Sequence, residues 1–162
     1  MNHKICVLTY NIHKGYCSGN RRFVLESMRD RIAESGADVV FLQEIHGTAI
    51  KSAAKRRRFS YPDQPHFEYL ADQSWPHYAY VRNSIYRKGD HGNAILSMHP
   101  FASWENIDVS IFKRSSRSIL HGVIEIPESN NAGPACDDEA VTAIVISAGG
   151  ERRPVVEVGR PR

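Results

Sequence analysis

Ile5-Cys6-Val7-Leu8-Thr9-Tyr10-Asn11-Ile12-His13-Lys14-Gly15 decides the fold: an apolar, β-rich run passes without a break into a polar string. A run lacking alternation is what a strand buried on both faces requires, so residues 5–10 are predicted to form an interior strand. Downstream, Phe23, Leu25, Met28 and Ile32 approximate helical spacing between Arg22 and Ser35, and Gly36 supplies a stop. Val39-Val40-Phe41-Leu42 is a second buried strand ending in Gln43-Glu44. Strand, helix, strand is an α/β layer arrangement rather than an all-β one.

Farther along, Pro62, Pro65 and Pro76 punctuate residues 60–77, which are read as a long surface loop without a regular element. Short strands follow at Tyr78–Val81, Ala94–Ser97, Ser103–Ile111 and Ile119–Ile126, a series expected to form an antiparallel meander. Glu128–Glu139 is a polar loop, and Val141–Ile146 is a further candidate strand. All 15 aromatic residues lie at or before Phe112 and all 8 histidines at or before His121. The end of the chain therefore differs in composition, and 147–162 is expected to be a disordered tail beyond a domain covering 1–146.

The 162 residues correspond to one domain at a typical size of about 150. With 41% hydrophobic and 24% charged residues and no apolar run near about 20, membrane-spanning, collagenous and wholly disordered classes are excluded. Cys6, Cys17 and Cys136 form no C-x-x-C pair, which argues against a disulfide framework or a zinc ribbon. The apolar stretch after Met1-Asn2-His3-Lys4 is too short for a signal-peptide core, so the cytoplasm is the expected compartment. The first 128 residues hold 17 basic against 13 acidic side chains, and the remainder 4 against 5. The densest basic piece, Lys55-Arg56-Arg57-Arg58 preceded by Lys51, could meet nucleic acid or anionic lipid by counterion release. Only Phe59 adjoins it, and the favoured reading is a solvated helix end or loop.

If the two apolar strands are neighbours, Glu44 emerges beside Asn11, and a carboxylate with an amide oxygen suits a hard cation such as Mg²⁺. The same residue types also cap turns and pair with surface cations. Three blocks extend the pattern: Thr9-Tyr10-Asn11-Ile12-His13-Lys14-Gly15, Ala37-Asp38-Val39-Val40-Phe41-Leu42-Gln43-Glu44, and Gly92-Asn93-Ala94-Ile95-Leu96-Ser97 followed by Pro100. In order and interval, with an Arg-rich strand entry at Arg114–Leu120, they resemble the endonuclease/exonuclease/phosphatase superfamily over residues 4–126. The pattern is similar to a poorly characterised bacterial branch.

The resemblance implies a four-layer α/β sandwich, here its N-terminal portion, and hydrolysis of phosphodiester or phosphomonoester bonds with Mg²⁺ or Mn²⁺. The substrate it implies is nucleic acid, a phospholipid head group or an inositol phosphate. It makes Glu44 a direct metal ligand, lets Asn11 support the metal or a phosphate oxygen, and leaves Asn93 and Arg117 to position substrate, an Arg fork suiting phosphate. His13 adjoins this site as a supporting or surface residue, since the family's catalytic histidines lie elsewhere.

The family pattern continues with His-x-Gly, Gly-Asp-x-Asn and Ser-Asp-His blocks, none of which occurs here; Asp137-Asp138-Glu139 stands in another context. An inactive, truncated chain is therefore expected, with no catalytic residue assigned. Ser147 stands where the family's His belongs, and codons compatible with Val145–Ala148 read His-Phe-Gly one base out of frame. A frameshift near residues 130–146 is the expected cause, and open strand edges in a marginally stable product the expected consequence. The competing readings are a non-catalytic binding module that uses residues 51–58 and a frameshifted product without function.

Overall fold

The computed structural model describes residues 5–17, 22–49, 56, 59–110 and 118–126, with the backbone of 139–146. Strand β1 (Val7–Asn11) passes through a 3-10 turn (His13–Gly15) to helix α1 (Leu25–Glu34) and returns as β2 (Val39–Ala49). β1 and β2 are parallel neighbours, in register from Val7 opposite Val39 to Asn11 opposite Gln43. A hairpin cannot join parallel neighbours, so the helix makes the crossover. Helix α2 (His66–Ala71) follows, then β3 (His77–Tyr86) and β4 (Gly89–Ser97), an antiparallel pair. β4 also lies antiparallel to β2, giving the sheet order β1-β2-β4-β3. β5 (Phe101–Asp108), β6 (Ser118–Ile126) and β7 (Glu139–Ile146) form a second, antiparallel sheet in that order.

The continuous apolar run of β2 is explained by its two covered faces. Val40, Leu42 and Ile45 join Ala94 and Leu96 of β4 under Leu25 and Ile32 of α1 and Phe67, Leu70 and Ala71 of α2. Val39 and Phe41 face the other way, into a core with Ile95 and with Leu120, Ile124 and Ile126 of β6. Each such side chain contributes roughly 1.5–3 kcal/mol of transfer free energy, so β2 is the strand on which both cores depend. The Trp75 indole N–H donates to the Ala37 carbonyl at 2.9 Å, tying the chain after α2 to the entrance of β2. Helices, sheet and sheet are the layers built by the described residues, the α/β sandwich anticipated from the sequence.

Four expectations are corrected. β1 is an edge strand, with Val7 and Tyr10 37% and 41% exposed, because β2 alone pairs with it among the described residues. β2 does not end in Gln43-Glu44 but continues to Ala49, with an irregularity at those two residues. The stretch 60–77 contains α2, which starts directly after Pro65, where a missing N–H costs a helix nothing. The anticipated meander is divided, β3 and β4 completing the first sheet and β5 to β7 forming the second. The expected tail 147–162, Arg117 and most of Lys51–Arg58 lie outside the described residues. Among the described residues, no helix is long and apolar enough to cross a membrane.

Candidate metal and phosphate site

At the end of β1 the parallel pairing is carried one step further, Ile12 N–H donating to the Gln43 carbonyl at 3.0 Å. Ile12 is fully buried and anchors the turn that leaves the strand. The next three residues take positive φ: His13 at 47°, Lys14 at 59° and Gly15 at 83°. Only glycine adopts such angles freely, and a Cβ on Gly15 would also come within 2.7 Å of the Phe23 ring. The Asn11 side chain stabilises the turn, its Oδ1 accepting the His13 backbone N–H at 2.9 Å.

The facing element is equally unusual. Leu42 pairs with Ala94 and Ile45 with Gly92, so Gln43 and Glu44 together oppose the single residue Asn93: a β-bulge. Glu44 takes φ 52°, a left-handed conformation that a side chain adopts at a cost of the order of 1 kcal/mol. The two irregularities meet. Asn11 Nδ2 donates to Glu44 Oε1 at 3.4 Å, and His13 Nδ1 lies 3.4 Å from Glu44 Oε2, the His13 and Glu44 side chains remaining 46% and 39% exposed. Beside them Gln43 Nε2 donates to Thr9 Oγ1 at 3.2 Å.

The structure thus brings together Asn11, His13 and Glu44. Asn93 occupies β4 opposite the bulge, on the strand face of Ile95, and is fully buried with neither Nδ2 nor Oδ1 partnered among the described residues. Sequence reasoning missed two neighbours. His91, two residues before Asn93, has a buried Nδ1 with no partner among the described residues. Burial, and then the Lys14 cation, hold its imidazole below the ordinary range, against the Glu44 and Asp90 carboxylates that favour protonation. Lys14, half-buried in the left-handed turn, is the other.

The Glu44 carboxylate, open to solvent and held on one side by the Asn11 amide N–H, fits a hard divalent cation that keeps several waters. Among the described residues no three His, Cys, Asp or Glu side chains are grouped to hold a metal, so the protein contribution here is Glu44 with Asn11. Of the basic stretch, Arg56 is described, and it is ion-paired with Asp63.

A sequence profile of the Endonuclease/Exonuclease/phosphatase family matches residues 8–159. Over 126 residues the chain is 42% identical to the uncharacterized protein YbhP of Escherichia coli (strain K12), covering 78% of this chain and 49% of YbhP. It therefore spans about half the length of the curated relatives it matches. Its fold is similar to that of an endonuclease/exonuclease/phosphatase from Beutenbergia cavernae, with a TM-score of 0.62 at 22% identity over 90% of this chain and 39% of that one. A family protein from Leptotrichia buccalis gives a TM-score of 0.53 at 19% identity, over 76% and 49% of the respective chains.

Proposed function

This chain belongs to the endonuclease/exonuclease/phosphatase family, and from that premise we propose that Glu44, supported by Asn11, seats a divalent cation, Mg²⁺ or Mn²⁺, for hydrolysis of phosphate esters. The observation that carries this reading is the bulge: β2 holds Glu44 in a left-handed conformation beside the Asn11 amide at the end of a parallel strand pair. Backbone strain maintained where a carboxylate is aimed at a neighbouring amide is the kind of outlier that marks a working site.

A bound divalent cation would polarise the phosphoryl group and acidify a coordinated water. The protein's own part is positioning. Because the His13 N–H occupies one lone pair of Asn11 Oδ1, the amide cannot turn over, and Nδ2 stays directed at Glu44. His13 steadies the second carboxylate oxygen. Asn93, behind the bulge, contributes a buried amide toward substrate, and Arg117 is proposed to position substrate.

The test is Mn²⁺ binding by electron paramagnetic resonance, run beside hydrolysis of bis(p-nitrophenyl) phosphate in Mg²⁺. Glu44→Gln is expected to weaken Mn²⁺ binding by about tenfold or more, since a charged oxygen donor becomes a neutral one. Unchanged Mn²⁺ affinity in that variant would refute the assignment.

A further inference from the structure

In a parallel pair, alternate residues of a strand turn their N–H and C=O toward the same neighbour. The Cys6 carbonyl accepts the Asp38 N–H at 2.8 Å and the Ile12 N–H donates to the Gln43 carbonyl at 3.0 Å, both on the β2 side. Val7, Thr9 and Asn11 therefore turn their backbone groups the other way, and all three residues are exposed. Among the described residues no strand pairs with that row. It borders a groove of about 840 Å³ walled by Leu8 and Tyr10 of β1 and by Met28 and Ile32 of α1. Arg31 is the one Lys, Arg, Asp or Glu in the lining, and it is already paired with Glu34 at 2.8 Å. A wall so poor in cations does not suit a polyanion, and it does suit the apolar surface of another polypeptide.

The relatives indicate which polypeptide. The match leaves about half of YbhP without a counterpart, and the fold likeness to the Beutenbergia cavernae protein covers 90% of this chain but 39% of that one. A fold shared over nearly all of this chain and the smaller part of a larger protein has further structure packed against some face of the shared part. The β1 edge offers hydrogen-bonding groups and apolar area together; the β5 edge adjoins a smaller groove of about 620 Å³. We propose that the β1 edge and its groove dock the complementary half of a family member. A strand of that half lies along Val7, Thr9 and Asn11 and extends the sheet, as in β-strand addition. The element that follows it sets apolar side chains against Leu8, Tyr10 and Met28. Backbone pairing supplies direction and register, and the groove supplies the apolar burial that an isolated strand lacks. The proposal stands apart from the metal assignment, since no part of it requires a bound cation.

The experiment co-expresses the full chain with a tagged polypeptide comprising the half of YbhP outside the match. Analytical ultracentrifugation of the purified material should show a one-to-one complex. Amide exchange, followed residue by residue by NMR, should be slowed about tenfold or more at Val7, Thr9 and Asn11 relative to the chain alone. Ser27→Arg, at an exposed position of α1 in the groove lining, should raise the dissociation constant about tenfold or more without disturbing the core. Ser103→Arg, the same change at an exposed position beside the β5 groove, should leave it unchanged. Failure to form the complex, or equal weakening by Ser27→Arg and Ser103→Arg, would overturn the proposal. So would slow exchange at Val7, Thr9 and Asn11 in the dilute chain alone, which would mean that the chain covers its own edge. Self-association that the YbhP half does not displace would make a second copy the occupant and overturn it equally.

Discussion

Asn93 sits fully buried with both ends of its amide unpartnered among the described residues, an arrangement that folding alone does not favour. An unsatisfied buried group costs about 1–3 kcal/mol. Leucine has nearly the same shape without the polar atoms, so Asn93→Leu is expected to stabilise the fold by about 1 kcal/mol or more while slowing hydrolysis of bis(p-nitrophenyl) phosphate. Urea unfolding measures the first effect, and a lower midpoint in the variant would show that Asn93 is a structural residue. His91 gives a pH test. Its folded value lies below the ordinary 6.5, so as the pH falls through 6.5 the unfolded chain takes up a proton that the native state refuses. Stability contributed by this residue is therefore present above 6.5 and lost on acidification toward the folded value. Urea midpoints at about pH 5 and about pH 7.5 should differ less in His91→Gln than in the wild type; identical differences would mean that His91 is not the group responsible. Residue types at the strand ends were enough to single out Asn11 and Glu44, and the family resemblance added Asn93. That the Asn93 amide lacks partners among the described residues depends on a bulge that no periodicity announces.

At the scale of elements, β2 carries the design. Its apolar run was legible because both of its faces are covered, whereas the similar run of β1 was misread: Val7 and Tyr10 are as apolar as a buried strand needs, yet nothing described lies along that strand's outer side. Helix α2 escaped notice because Pro62 and Pro65 read as loop, although Phe67, Leu70 and Ala71 are spaced for a single helical face. The bulge makes strain and function separable. Glu44→Gly removes the penalty of a side chain at φ 52° and is expected to stabilise by about 0.5–1 kcal/mol, whereas Glu44→Gln keeps the penalty and leaves stability nearly unchanged. Both should lose cation binding. A Glu44→Gly variant less stable than Glu44→Gln would show that the carboxylate's contacts with Asn11 and His13 outweigh the backbone cost. Gly92 gives the opposite case: Gly92→Ala drives a methyl into the Val81 carbonyl, and separating β3 from β4 should cost about 3 kcal/mol in the same unfolding assay.

For the whole molecule, the exposed surfaces matter as much as the cores. The side of β1 left unpaired among the described residues adjoins a groove of about 840 Å³ whose lining includes Leu8, Tyr10, Met28 and Ile32, so hydrogen-bonding groups and apolar surface occur together. On the second sheet, Trp104 and Ile107 of β5 are 51% and 40% exposed. An unpaired strand edge beside an apolar groove is a template for association, because a second strand would satisfy its N–H and C=O groups while covering Leu8 and Tyr10. Light scattering by the chain should therefore rise with concentration through the micromolar range. Val7 distinguishes the edge from the β5 face as the cause. It is solvent-exposed on β1, and a lysine there leaves the pairing with Val39 intact while placing a charge along the open edge. Val7→Lys should lower the scattering, and Trp104→Lys should lower it less, since β5, although also an edge strand, adjoins a smaller groove with a more polar lining. If Trp104→Lys proved the more effective change, association would be driven by the second sheet's outer face, and the open side of β1 would be protected by its own twist and exposure to water.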